Sequence, residues 1–152
     1  MTAMGLRFDS PVHGWLDVEL SGNGGVVARS VSDVPGDSLA MLADAACELV
    51  SGHTTRKVTW FLEPEEDCWS FRSEGSLAAV LVKSDGVENR IGVEVPVTLC
   101  WTIWRALRRL QVDDAWQADR GHVWSHPFPH RSVDCLHDRL QRLTSRGSRG
   151  PV

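Results

Sequence analysis

The fold is decided by residues 57–95, which read KVTWFLEPEEDCWSFRSEGSLAAVLVKSDGVENRIGVEV. Short segments rich in aliphatic, aromatic and β-branched residues recur in this stretch, and turns rich in Glu, Pro, Gly, Asp and Ser separate them. Strands that follow one another so closely pair most simply as antiparallel neighbours, so the stretch predicts a four-stranded meander. The predicted strands are Lys57–Leu62, Cys68–Ser73, Leu77–Lys83 and Arg90–Val95.

Further strands are predicted upstream of this meander. Trp15–Leu20 alternates strictly between polar and apolar residues, and Val26–Val31 returns after the glycine-rich turn Ser21–Gly25. The glycines of such a turn can adopt positive φ angles, which a tight hairpin requires. Residues 15–31 therefore predict a β-hairpin, preceded by a short strand over Met4–Asp9.

Three segments show helical periodicity. Leu39–Val50 carries apolar residues at the i, i+3, i+4 and i+7 spacing, with Asp37 or Ser38 as the N-cap and Gly52 just beyond the C-terminus. Pro96 suits the first turn of a second helix, because a backbone N–H at that position has no partner within the helix. The three predicted helices are Leu39–Val50, Val97–Gln111 and Val133–Leu143.

These elements predict an α+β domain. We expect a twisted, largely antiparallel sheet of six or seven strands, with Leu39–Val50 and Val97–Gln111 packed on one face. The C-terminal loop and helix are expected to cover an edge or an end of the sheet. The chain has 152 residues, so we predict a single domain over residues 1–143 and a flexible tail over residues 144–152.

The composition excludes several protein classes. Hydrophobic residues make up 42% of the chain and charged residues 24%, which is typical of globular proteins and not of disordered or collagen-like chains. No apolar run approaches the roughly 18 residues of a membrane span, and the N-terminus lacks the apolar core of a secretory signal. The four cysteines form no CxxC pair. We therefore expect reduced thiols in a cytoplasmic protein that does not bind membranes.

The charge is distributed unevenly along the chain. The formal net charge is −4, but residues 1–96 carry −8 and residues 97–152 carry +4. Either the folded chain presents an acidic face to a basic partner, or the two halves fold together and their charges intermix. We expect intermixing, and the negative net charge argues against binding to nucleic acids.

The turn between the first two strands of the meander holds the densest run of charge. Its carboxylates belong to Glu63, Glu65, Glu66 and Asp67. Clustered carboxylates complement Arg and Lys on a partner and accelerate encounter, although most such turns are only solvated hairpin tips. Trp60 and Trp69 flank the turn and are expected to add an apolar anchor to a partner-binding site.

Histidine and cysteine residues are concentrated near the C-terminus. Imidazole and thiolate groups are good zinc ligands, so this segment is the candidate for a metal site or a small active site. Pro127 and Pro129 disfavour the helix that would hold two histidines on one side, so we expect a loop with solvated histidines and neither metal nor cofactor. Near the start of a helix, Cys135 is the cysteine to test for reactivity. The candidate ligands are His122, His126, His130, Cys135 and His137.

No catalytic motif is present. The sequence has no GxSxG elbow, no Walker loop and no glycine-rich dinucleotide turn after a strand. We therefore assign no catalytic residues and expect a protein that is not an enzyme.

A layout of structural motifs runs from the end of one predicted strand to the acidic turn. The motifs are Val31-Ser32-Asp33, Asp37-Ser38-Leu39-Ala40-Met41-Leu42, Gly52, Trp60 and Glu63-Pro64-Glu65. This layout resembles that of small uncharacterised bacterial α+β proteins, some of which are immunity proteins of polymorphic or contact-dependent toxin systems. The resemblance covers about residues 26–110 and implies a fold and a toxin-neutralising role, with no catalytic residues.

Three functions therefore remain open. The first is a cytoplasmic immunity protein that binds a basic toxin domain. The second is a metal-binding domain or a small enzyme built on the C-terminal His/Cys segment. The third is a homo-oligomeric structural module. We favour the first, because the chain is small, rich in tryptophan and acidic in its N-terminal part.

Overall fold

The computed structural model describes residues 3–53, 55–117 and 123–148, and it shows the predicted α+β fold. A seven-stranded antiparallel sheet follows the order of the chain. Its strands are β1 (Gly5–Phe8), β2 (Trp15–Gly22), β3 (Gly25–Ser32), β4 (Thr55–Phe61), β5 (Glu66–Glu74), β6 (Leu77–Ser84) and β7 (Val87–Glu94). The helices are α1 (Ser38–Val50), α2 (Pro96–Gln111), α3 (Asp114–Gln117) and α4 (His130–Ser148).

The predicted meander is confirmed, because β5, β6 and β7 each pair with the preceding strand through a short turn. The hairpin of β2 and β3 is confirmed as well. Where α1 intervenes, β3 and β4 share only the residue pair Ser32 and Phe61. The sheet therefore splays between β3 and β4 and is continuous on either side of the split.

The helices α1, α2 and α4 pack against one another. Helix α1 contacts β4, α2 contacts β1 and β6, and α4 packs on α1 and α2. The helix predicted over Val133–Leu143 begins at His130 and ends at Ser148, so part of the predicted tail is helical. Its apolar stripe is buried through Leu140, and residues 141–146 are exposed. Residues 149–152 lie outside the described part of the chain.

The tip of the hairpin of β2 and β3 meets the far strand of the sheet. The backbone N–H of Gly24 donates to the carbonyl oxygen of Ile91 in β7 at 2.8 Å. A Cβ atom at Gly24 would collide with the carbonyl oxygen of Arg90. Glycine is required there by the close approach of two backbones, and this contact curls the sheet around the core.

The antiparallel directions of β4 to β7 place two acidic turns at one end of this meander, which we call the acidic end. Residues 62–65 and 85–86 lie there, whereas residues 75–76 lie at the opposite end and contain no Asp or Glu. The two turns contribute the carboxylates of Glu63, Glu65 and Asp85.

Within the described ranges, none of the helices is both long enough and apolar enough to cross a membrane.

Candidate functional site

The turn between β4 and β5 presents three carboxylates to solvent. Glu63, Glu65 and Glu66 are all exposed. The backbone N–H of Leu62 donates to the carbonyl oxygen of Glu65 at 2.7 Å, which closes the turn tightly. The turn thus holds these carboxylates together at the acidic end.

The neighbouring turn between β6 and β7 adds a fourth carboxylate. Cys68 of β5 is the register partner of Lys83 of β6, so the two turns project side by side from the sheet. Asp85 is exposed and has a φ of 51°, a left-handed conformation that Asp tolerates better than most residues. Glu63, Glu65, Glu66 and Asp85 form a group that we call the carboxylate tip. Lys83, which is exposed beside them, offsets only part of this charge.

The carboxylate tip differs from the acidic residues on the outer face of the sheet. On that face, Glu19 pairs with Arg7 at 3.4 Å, Glu88 pairs with Arg72 at 3.4 Å, and Glu74 pairs with Arg90 at 2.6 Å. The Arg90 side chain, by its hydrogen bond and its charge, lowers the pKa of Glu74. Among the described residues, none of the carboxylates of the tip forms an ion pair.

The prediction that Asp67 belongs to the partner-binding site is wrong, because Asp67 is buried and not hydrated on the turn. Only 2% of it is exposed. Its Oδ2 accepts a hydrogen bond from Arg29 Nε at 2.9 Å, and its Oδ1 accepts one from Ser84 Oγ at 2.6 Å. Asp67 lies on the inward face of β5, where it ties β5 to β3 across the split and to the base of the turn of Asp85. It therefore supports the carboxylate tip instead of belonging to it.

Trp60 and Trp69 require the same correction. Each is 1% exposed, and their ring centroids lie 4.9 Å apart in the core. They occupy inward positions of β4 and β5, opposite Asp67 and Val58 in the strand register. The helices cover this face, so neither indole is available as an anchor for a partner.

The histidines of the C-terminal segment have separate surroundings. His126 Nε2 donates to the carbonyl oxygen of Asp33 at 2.9 Å, whereas His130 Nδ1 accepts a hydrogen bond from Gln111 Nε2 at 2.6 Å. Over residues 3–53, 55–117 and 123–148, no three His, Cys, Asp or Glu side chains are grouped so as to hold a metal ion. His122 lies outside the described residues.

His137 packs against two tryptophans of α2. Its ring stacks on Trp104 with a centroid distance of 4.4 Å and meets the edge of Trp101 at 5.9 Å. Cys135 lies near Cys47 of α1, and both line one surface cavity. The sequence shows no signal for this proximity, since it depends on how α1 and α4 pack.

Two of the thiols have strongly raised pKa values. Burial, followed by the proximity of Cys135, raises the pKa of Cys47 to about 12. Burial also raises the pKa of Cys100 to about 12. Both are therefore neutral thiols at physiological pH and poor nucleophiles in that state.

Comparison of the chain with protein-family models, with curated proteins and with solved structures found no match.

Proposed function

We propose that this chain is a non-catalytic binding protein that docks its acidic end on a basic surface of a protein partner. The observation that carries the proposal is the contrast between paired and unpaired carboxylates. Glu19, Glu74 and Glu88 are neutralised by arginines on the sheet, whereas the carboxylate tip is exposed without such partners among the described residues.

The contacts beneath the carboxylate tip preorganise it for binding. Asp67 holds Arg29 and Ser84 beneath the turns, so the backbone at the tip is fixed before a partner arrives. A preorganised surface loses less conformational entropy on binding than a mobile loop. The exposed charges act at long range and steer a basic partner toward this end.

The specific role we propose is that of a cytoplasmic immunity protein. The sequence layout that resembles immunity proteins includes the acidic turn, and blocking a toxin that acts on an anionic substrate requires only shape and negative charge over its basic cleft. No catalytic residue is needed for this role.

The test is quantitative capture of partners by the tagged full-length chain in its native host. The wild type is compared with the double reversal Glu65→Lys/Glu66→Lys and with Asp134→Lys/Asp138→Lys. The control reverses two exposed carboxylates of α4 and changes the net charge equally. We expect a basic protein that the wild type and the control enrich and that the tip variant loses. Equal recovery by all three chains would refute the proposed surface.

The immunity role has its own test. The captured partner is expressed in bacteria with and without the chain, and growth is measured. We expect the partner alone to arrest growth, and co-expression of the wild type, but not of the tip variant, to restore it. A partner that is harmless alone would exclude the immunity role while leaving the binding surface intact.

A further inference from the structure

The seam between α1 and α4 has a regular register. Ser132 Oγ donates to Asp44 Oδ1 at 2.8 Å near one end of the seam, and Arg139 Nη1 donates to Ser51 Oγ at 2.7 Å near the other. Residues three and seven positions apart lie on the same side of a helix. Cys135 stands three positions after Ser132, and Cys47 stands three positions after Asp44. The register therefore places the two cysteines opposite each other.

Contacts around the two thiols confirm this placement. The thiol of Cys47 lies 3.5 Å from the carbonyl oxygen of Ser132, and Arg139 Nη1 donates to the carbonyl oxygen of Cys47 at 2.9 Å. Cys135 is also close enough to Cys47 to be one of the causes that raise its pKa. Both line a surface cavity of about 340 Å³, through which a small molecule reaches them.

We propose that Cys47 and Cys135 are an oxidisable thiol pair that closes a disulfide between α1 and α4 when the protein meets a peroxide. This inference is independent of the proposed binding function. It assigns the cavity at the seam as the entry site for the oxidant.

The reaction proceeds in two balanced steps. The thiolate of Cys135 attacks one oxygen of hydrogen peroxide, the O–O bond breaks, and the departing hydroxide takes a proton to become water. Cys135 is now a sulfenic acid. The sulfur of Cys47 then attacks the sulfur of Cys135 as its proton is removed, and the departing hydroxide is protonated to a second water. Two thiols are oxidised, and one peroxide is reduced.

The two cysteines have different roles in this sequence. Cys135 is half-buried and borders the cavity, so it meets the oxidant first, whereas Cys47 is 7% exposed. Proximity of Cys135 is one of the causes that raise the pKa of Cys47. Arg139 lies beside Cys47, and its charge favours the Cys47 thiolate in the second step.

The other two cysteines provide internal controls. Cys100 is fully buried, and its thiol is directed to the carbonyl oxygen of Ala46 at 3.4 Å. Cys68 is half-buried on the outer side of the sheet, away from the helices. All four cysteines fall in different tryptic peptides, because Arg or Lys residues separate them.

The experiment treats the reduced, full-length protein with hydrogen peroxide, alkylates the remaining thiols and maps the tryptic peptides by mass spectrometry. We expect a disulfide-linked peptide pair containing Cys47 and Cys135. Reduction with dithiothreitol should separate the two peptides. Cys68→Ser should retain this pair, and Cys135→Ser should lose it and leave Cys47 alkylated. Because Cys135 is half-buried, its serine variant is the better test if Cys47→Ser unfolds the protein.

Three results would overturn the inference. One is a dominant disulfide between Cys47 and Cys100. Another is a wild-type protein in which Cys135 proceeds to the sulfinic acid without a cross-link. The third is a chain whose helical cysteines all remain reduced under conditions that oxidise Cys68.

Discussion

At the scale of single residues, the alternation of side chains along β5 decides which carboxylate is buried and which is accessible. Glu66 and Asp67 are adjacent, and successive side chains of a strand point to opposite faces. Glu66 is exposed, whereas Asp67 is buried with Arg29 and Ser84. The sequence shows the run of acidic residues, but the face that the helices cover is a tertiary property. The accessible and buried members of the run therefore could not be told apart in advance.

Replacement of Asp67 should destabilise the fold. Asp67→Asn removes the charge that Arg29 contacts, and we expect a loss of about 1.5–3 kcal/mol in the free energy of unfolding, the range for hydrogen bonds to charged groups. Urea denaturation measures this loss. Glu65→Gln is the matched control and should change stability by less than about 0.5 kcal/mol, as exposed substitutions do. Equal stability of the two variants would show that the Asp67 contacts contribute nothing.

Truncation of Trp60 separates a core role from a binding role. Because its indole is buried against Trp69, Trp60→Ala should cost about 3–5 kcal/mol of stability. Calorimetry or denaturant unfolding measures this cost. A fully stable Trp60→Ala protein would restore the original expectation of an exposed anchor.

The buried thiol of Cys100 predicts a pH dependence of stability. Its pKa is about 12 in the folded chain, against 9.0 for a free thiol. Below pH 9 both states keep the proton. Above pH 9 the unfolded chain releases it first, so the free energy of unfolding falls by up to about 1.4 kcal/mol per pH unit until the folded thiol also ionises. Cys100→Ala should flatten this decline between about pH 9 and pH 10.5, as measured by denaturant unfolding. Identical slopes in the variant and the wild type would contradict the assignment.

At the scale of elements, periodicity predicted most of the fold. The alternation of Trp15–Leu20 and the stripe of Leu39–Val50 predicted their elements, because each buries one side against the core. The end of α4 was missed. Residues 144–146, beyond the predicted end, are polar and exposed, so they lack the apolar repeat on which the prediction relied. The proximity of Cys47 and Cys135 was missed as well, since helix–helix register is not encoded in either helix alone.

Two buried leucines test whether the helices predicted to cover the sheet pack against the core. Leu42 of α1 and Leu107 of α2 are both fully buried. Leu→Ala at either position should lower the free energy of unfolding by about 2–5 kcal/mol, because it removes apolar contacts and leaves a cavity. Denaturant unfolding provides the measurement. A change below about 0.5 kcal/mol would mean that the helix does not lie on the core.

At the scale of the whole molecule, the meander brings together acidic turns that are separated in the sequence. Every second connection emerges at the same end of an antiparallel sheet, so residues 62–65 and 85–86 lie together and bring their carboxylates to the acidic end. Sequence reasoning identified Glu63, Glu65 and Glu66 but not Asp85, which joins them only through the pairing of β5 with β6. The long-range field of this end is the physical basis of the proposed function.

The central claim is that the carboxylate tip steers a basic partner onto the acidic end. Its most direct test is the association rate constant with the captured partner, measured by stopped-flow over a range of salt concentrations. For Glu65→Lys/Glu66→Lys we predict a rate at low salt reduced by about tenfold or more and a weaker salt dependence, because the long-range attraction is lost. The Asp134→Lys/Asp138→Lys control should keep a rate within about twofold of the wild type. An unchanged rate and salt dependence in the tip variant would contradict the claim.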